Sequence, residues 1–171
     1  GHLGRDDVGT MVLVPRVVDS VSIPVIASGG IGDGRGFMAA LALGAEGIEM
    51  GTRFIATKEC VHASLAYKQA LVTSTEIGTT VIKRSIGAPA RALKNQWTEK
   101  IHEIEASTPT YEALKEYISG QANKHYIYDG FETQGFGWAG QVVGLIDDIP
   151  NVQELFERMI SQAQDFRVKW R

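Results

Sequence analysis

Two glycine-rich stretches carry the strongest chemical signal in this chain. They are P-V-I-A-S-G-G-I-G-D-G-R-G from Pro24 to Gly36 and G-A-E-G-I-E-M-G-T-R-F from Gly44 to Phe54. Each has a short apolar run, fit for a buried parallel strand, that ends in glycine and leads into a helical pattern. Two such units in succession bring bare backbone N–H groups to the same end of a parallel sheet, where a helix N-terminus adds partial positive charge. That combination is a cradle for phosphate. In a (β/α)8 barrel a cofactor phosphate sits between the loops that follow strands 7 and 8. Simple turn geometry is the competing reason for the same glycines.

His2 is the candidate for proton chemistry. It lies between glycines in Gly1-His2-Leu3-Gly4, just ahead of the first helical segment, and an imidazole with a pKa of about 6.5 can take or give a proton near neutral pH. A histidine in a terminal tetrapeptide also reads as a surface residue or a tag remnant, and the residues alone leave both readings open. Asp33 and Arg35 read as a helix N-cap and a solvated cation. Lys83, Arg84, Arg91 and Lys94 form a basic cluster that reads first as a solvated helix face and second as a contact for an acidic partner or a nucleotide phosphate. His62, His102 and His125 are too scattered for a metal site, so no metal is expected. The single cysteine, Cys60, excludes an internal disulfide framework, shows no thiol-activating motif and fits a reducing cytoplasm.

The elements that must hold these residues follow from periodicity. Thr10 to Val21 has helical spacing, with Pro15 expected in the first turn. Val25 to Ala27 and Ile48 to Met50 are the strands of the two units, separated by a helix from Arg35 to Leu43 that Gly44 ends. Helical segments are then expected at Thr52 to Ala56 and Val61 to Val72, a strand at Thr79 to Lys83, and a helix at Ala88 to Trp97. Two amphipathic helices, Thr98 to Ser107 and Thr110 to Ile118, are split by Pro109. Tyr126 to Gly140 lacks a period and reads as a loop. Asn151 to Trp170 closes the chain as a helix with Val152, Leu155, Phe156 and Met159 on its apolar stripe. Helix, strand, helix, strand with short links is an α/β pattern. It divides into residues 1–97, with the phosphate loops, and residues 98–171, a mainly helical extension.

Length bears on the fold. A (β/α)8 barrel takes about 250 residues and rarely fewer than about 200, so 171 residues read as a fragment of one. The composition is 44% hydrophobic and 22% charged, with a formal net charge of -3. That mild acidity gives no reason to expect nucleic acid or an anionic membrane as partner, and no apolar run approaches the ~20 residues of a membrane span.

The chain resembles the C-terminal part of the nitronate monooxygenase (2-nitropropane dioxygenase) family. The resemblance rests on G-H-L-G at Gly1 to Gly4, L-V-P-R-V-V-D at Leu13 to Asp19 and the Pro24 to Gly36 stretch. It continues through A-L-A-L-G-A-E-G-I-E-M-G-T-R-F-I-A-T at Ala40 to Thr57 and A-x-x-x-Y-K ending at Lys68. The flavin-dependent enoyl-acyl-carrier-protein reductases share nearly all of these blocks. The resemblance implies an FMN-binding (β/α)8 TIM barrel that oxidises nitronates or nitroalkanes with dioxygen. The alternatives are enoyl reduction with NAD(P)H and a phosphate-binding piece without catalysis. It implies that Gly29, Gly30, Gly51 and Thr52 hold the FMN phosphate and that Met50 borders the cofactor. His2 would act on a small-molecule substrate, and Gln141, in Trp138-Ala139-Gly140-Gln141, would be a contact. The first strands of such a barrel are not among these residues: another chain supplies them, the piece is cut from a longer enzyme, or it persists in an altered assembly. Unpaired edges and bare apolar faces then leave the chain alone inactive and either homo-oligomeric or aggregation-prone.

Overall fold

Glycine-led helices between short apolar runs produce a parallel βαβ unit. The computed structural model describes residues 7–169. There α1 (Thr10–Val18) delivers the chain to β1 (Ile26–Ser28), α2 (Gly34–Ala42) crosses back, and β2 (Gly47–Glu49) pairs with β1 in parallel. Ile26 lies opposite Gly47, Ala27 opposite Ile48 and Ser28 opposite Glu49. Pro15 stands in the second turn of α1 and not the first, because the helix starts directly after Gly9. The Met11 carbonyl thereby loses its usual donor, on a face where Met11 is 67% exposed and water is at hand. α1 ends at Val18, short of Val21, with Asp19 as its C-cap.

After α3 (Thr52–Ile55), Ser64 caps α4 (Leu65–Thr73) by accepting from the Tyr67 N–H at 3.2 Å. The next segment corrects the sequence reading. Ala88 to Trp97 is not a helix: β4 (Ala90–Leu93) pairs antiparallel with β3 (Thr79–Ile82), and the helix begins only at Gln96. Alanine, arginine and leucine favour a helix locally, but a buried ladder of four residue pairs, Thr79 to Leu93 through Ile82 to Ala90, overrides that weak preference. Asn95 sets the start of α5 (Gln96–Ser107) through a reciprocal capping box with Thr98.

Thr110 to Ile118 also differs from expectation. Only α6 (Tyr111–Leu114) is helical there, and Ser119 opens a new helix, α7 (Gly120–Ile127), by accepting from the Ala122 N–H at 3.1 Å. The expected loop therefore starts after Ile127. A 3-10 turn at Gln141–Leu145 leads to α8 (Val152–Lys169), capped by Asn151. The buried face of α8 is Leu155, Met159 and Ala163, while Phe156 is 48% exposed.

α8 returns to the βαβ unit and packs on α2, so elements from either side of residue 97 share one core of Val14, Ala27, Ala40, Met50, Leu155 and Met159. Gly34 makes that approach possible. A Cβ there would lie 2.4 Å from the Met159 carbonyl oxygen and 2.6 Å from the Gln162 Cβ. On an open helix Gly→Ala is favourable by about 0.5–1 kcal/mol. Gly34→Ala is instead expected to cost about 1–3 kcal/mol by overpacking, read as a lowered midpoint in thermal denaturation; a raised midpoint would show that α8 yields freely.

Candidate functional site

The parallel register sends the loops after β1 and β2 out at the same end of the sheet. They form one wall of a cavity of about 730 Å³, where Ser28, Gly29 and Gly30 meet Glu49, Met50, Gly51 and Thr52. The loop of the β3–β4 hairpin, with Lys83 and Gly87 to Pro89, lines it too, as do Trp138, Gly140 and Val142. Gly29 and Gly30 have φ of 100° and 76°, left-handed values that suit glycine. Gly51 differs: its φ of -84° is open to any residue, and a Cβ there would meet no atom within 4 Å. Neither backbone nor packing requires glycine at Gly51; what a side chain would take is the space of the cavity. Among the described residues the N–H groups of Gly30, Gly51 and Thr52 meet no protein acceptor.

The first turn of α2 is not part of this cradle. Asp33 caps it as expected, accepting from the N–H groups of Arg35 and Gly36 at 3.0 Å each, and the Gly34 N–H donates to Gln162 Oε1 at 2.9 Å. Those donors are saturated, so an anion here is met by loop N–H groups and by the start of α3. Arg35 pairs back onto Asp33, its Nε 2.6 Å from Oδ2.

A second layer fixes the wall. Thr52 is buried, and its Oγ1 accepts from the Gly140 N–H at 3.0 Å, so the side chain holds the loop and only its backbone faces the cavity. Gly137 to Ala139 runs beside β4: the Leu93 N–H donates to the Gly137 carbonyl at 3.0 Å and the Ala139 N–H to the Arg91 carbonyl at 3.2 Å. The buried Tyr67 hydroxyl donates to the Trp138 carbonyl. Burial pushes the Tyr67 phenol up, and that of Tyr126 up to about 12, so both stay protonated and the Tyr67 hydroxyl remains a donor. Met50 is buried beneath the glycine loops.

The structure thus brings Gly29, Gly30, Met50, Gly51 and Thr52 together at one cavity. Gln141 is exposed and does not line it, although its neighbours Gly140 and Val142 do. His2 lies outside the described residues. The basic cluster comes apart: Arg84 pairs with Asp7 at 2.5 Å, Arg91 donates to Thr79 Oγ1 at 3.1 Å, and Lys94 is exposed. Only Lys83 reaches the cavity. It holds a left-handed φ of 65°, which costs a side chain about 1–2 kcal/mol, and its Nζ sits 4.9 Å from the centre of the Trp138 ring. Burial holds its ammonium below the usual lysine range. Reading Ala88 to Trp97 as a helix hid the hairpin that presents it. Among the described residues, His, Cys, Asp and Glu form no group of three or more able to hold a metal, and no helix is long and apolar enough to cross a membrane.

Comparison with known proteins gives this geometry its context. The nitronate monooxygenase family model matches residues 1–162. A probable nitronate monooxygenase of Staphylococcus saprophyticus is 37% identical over 92% of this chain and 44% of its own length, and one of Staphylococcus aureus is 40% identical over 78% and 37%. Among solved structures, FabK from Thermotoga maritima superposes with a TM-score of 0.91 at 38% identity, over 99% of this chain and 53% of its own. Nitroalkane oxidase from Streptomyces ansochromogenes does so with a TM-score of 0.75 at 28% identity, over 97% and 46%. The chain thus spans about half the length of the relatives it matches, and it belongs to the nitronate monooxygenase family of oxidoreductases.

Proposed function

We propose that this chain is the C-terminal part of an FMN-dependent (β/α)8 enzyme that oxidises nitronates or nitroalkanes with dioxygen. The observation that carries the cofactor is Gly51, where neither backbone nor packing needs glycine and a side chain would take space from the cavity. Its N–H, with those of Gly30 and Thr52, would hold the FMN phosphate at the start of α3, and the buried Met50 would border the cofactor. Bound there, FMN supplies electron transfer between the organic substrate and dioxygen. His2 would hold or move the substrate proton. Trp138 and Ile55 give the cavity apolar surface that excludes water. The remaining strands would cover Met11, Val12, Ile23 and Ile26, which are 55–70% exposed on α1, β1 and the link between them, and which favour association when left bare. The lone Cys60 fits a reducing cytoplasm.

A second reading, enoyl-thioester reduction with NAD(P)H, is supported by the blocks shared with the flavin-dependent enoyl reductases. Stopped-flow absorbance separates the two: bleaching of the bound flavin by a nitronate and not by NAD(P)H is expected, and the reverse would install the second reading.

Gly51→Ala is expected to leave the melting midpoint unchanged while weakening FMN binding about 10-fold or more, since a methyl displaces the phosphate from its donors. Unchanged affinity, measured by quenching of flavin fluorescence, would remove the cradle. In the enzyme completed by its remaining strands, His2→Ala is expected to retain flavin and to slow nitronate turnover by roughly 10²-fold; full turnover would return His2 to the surface reading.

A further inference from the structure

One charged group on the cavity wall has no part in the phosphate cradle. Lys83 ends β3 and opens the hairpin loop, so it reaches the cavity from the second sheet, whereas the glycine loops come from the first. It is the only cation lining the cavity among the described residues. It pairs with no carboxylate there, in contrast to Arg84 and Arg35, which both have acid partners. Lysine is also an unfavourable residue at this spot. The φ of 65° suits glycine or asparagine better, and partial burial opposes the charge. What lysine contributes, and those residues would not, is an ammonium seated 4.9 Å from the Trp138 ring centre at the edge of a cavity of about 730 Å³.

Resting on the flavin reading above, we propose that Lys83 on Trp138 is a second oxyanion site, separate from the glycine loops, which takes the anionic head of the reactant that meets the flavin. The ammonium meets the oxygens of that head in a charge-assisted hydrogen bond, and the indole face beside it takes the adjoining apolar part. A nitronate carries such a head, and so does the phosphate of a nicotinamide nucleotide. In that reading the cofactor phosphate would be held by the neutral N–H groups of the glycine loops, without this lysine.

The test uses the purified chain with ethyl nitronate and 2′,5′-ADP as separate probes. It reads the Trp138 indole N–H resonance in the flavin-free protein and flavin fluorescence in the FMN-loaded one. Trp97, whose Nε1 donates to the Tyr117 carbonyl at 2.8 Å, is the internal control. Lys83→Gly keeps the left-handed turn and removes the charge, so its melting midpoint is expected to stay within a few degrees of the parent. It should weaken binding of the anion by about 10-fold or more with FMN affinity unchanged, and Lys83→Arg should restore it. Loss confined to ethyl nitronate assigns the site to the organic substrate, and loss confined to 2′,5′-ADP assigns it to a nicotinamide donor. The proposal is overturned if FMN affinity falls in the same proportion, or if neither anion responds to the lysine. A parent protein that takes up no FMN would sink the flavin reading alone, since the Trp138 titration needs no flavin.

Discussion

The register between β1 and β2 is the constraint on which the cavity depends. With Ser28 opposite Glu49, both strands end level, and Gly29-Gly30 and Gly51-Thr52 emerge side by side. A slip of one residue would turn every side chain of one strand to the other face of the sheet and part the two loops. The crossover helix α2 holds the register from one side, and α8 holds α2 in turn, since Gly34 lets the two helices approach until backbone meets backbone. The last helix of the chain thus supports the loops that the first strands present.

The glycines of this protein fall into two physical kinds, and the difference separates folding from function. Gly135 and Gly137 are required by the protein itself: an added Cβ would lie 1.8 Å from the Ala122 carbonyl oxygen and 2.5 Å from the Tyr67 ring. They let the strip before Gly140 pass between α7 and Tyr67 and run along β4. Gly30 and Gly51 face open space instead, so packing does not ask for them. At Gly51, where neither packing nor backbone geometry asks for glycine, a side chain would only take volume from the cavity.

Anchoring of α3 shows how a short helix is made rigid enough to present its first N–H groups. Arg53, next to Thr52, is 3% exposed and donates from Nη2 to the carbonyls of Ala56 at 2.7 Å and Asp148 at 2.8 Å. Burial lowers its pKa, and the nearby Asp148 carboxylate opposes that shift. Four helical residues have little stability of their own, and this buried guanidinium ties them to the segment that precedes α8. Thr52 ties the same helix to Gly140 on the other side.

The amino-acid sequence by itself determined the βαβ unit and its two glycine loops, because their signals are local: apolar runs, glycine-ended strands, and an Asp33 cap with its N–H partners two and three residues on. Those same local blocks carried the family. It could not determine the second sheet, since β4 is written in helix-favouring residues and becomes a strand only through its pairing with Thr79 to Ile82. Nor could it show that α2 seals its own first turn with help from Gln162, which lies 128 positions away. The basic cluster dissolved for the same reason: partners distant in the chain take Arg84, and the hairpin turn carries Lys83 alone to the cavity. Spacing along the chain fixes what a residue can do with its near neighbours, whereas which groups remain free at a cavity depends on contacts that exist only once the chain has closed on itself.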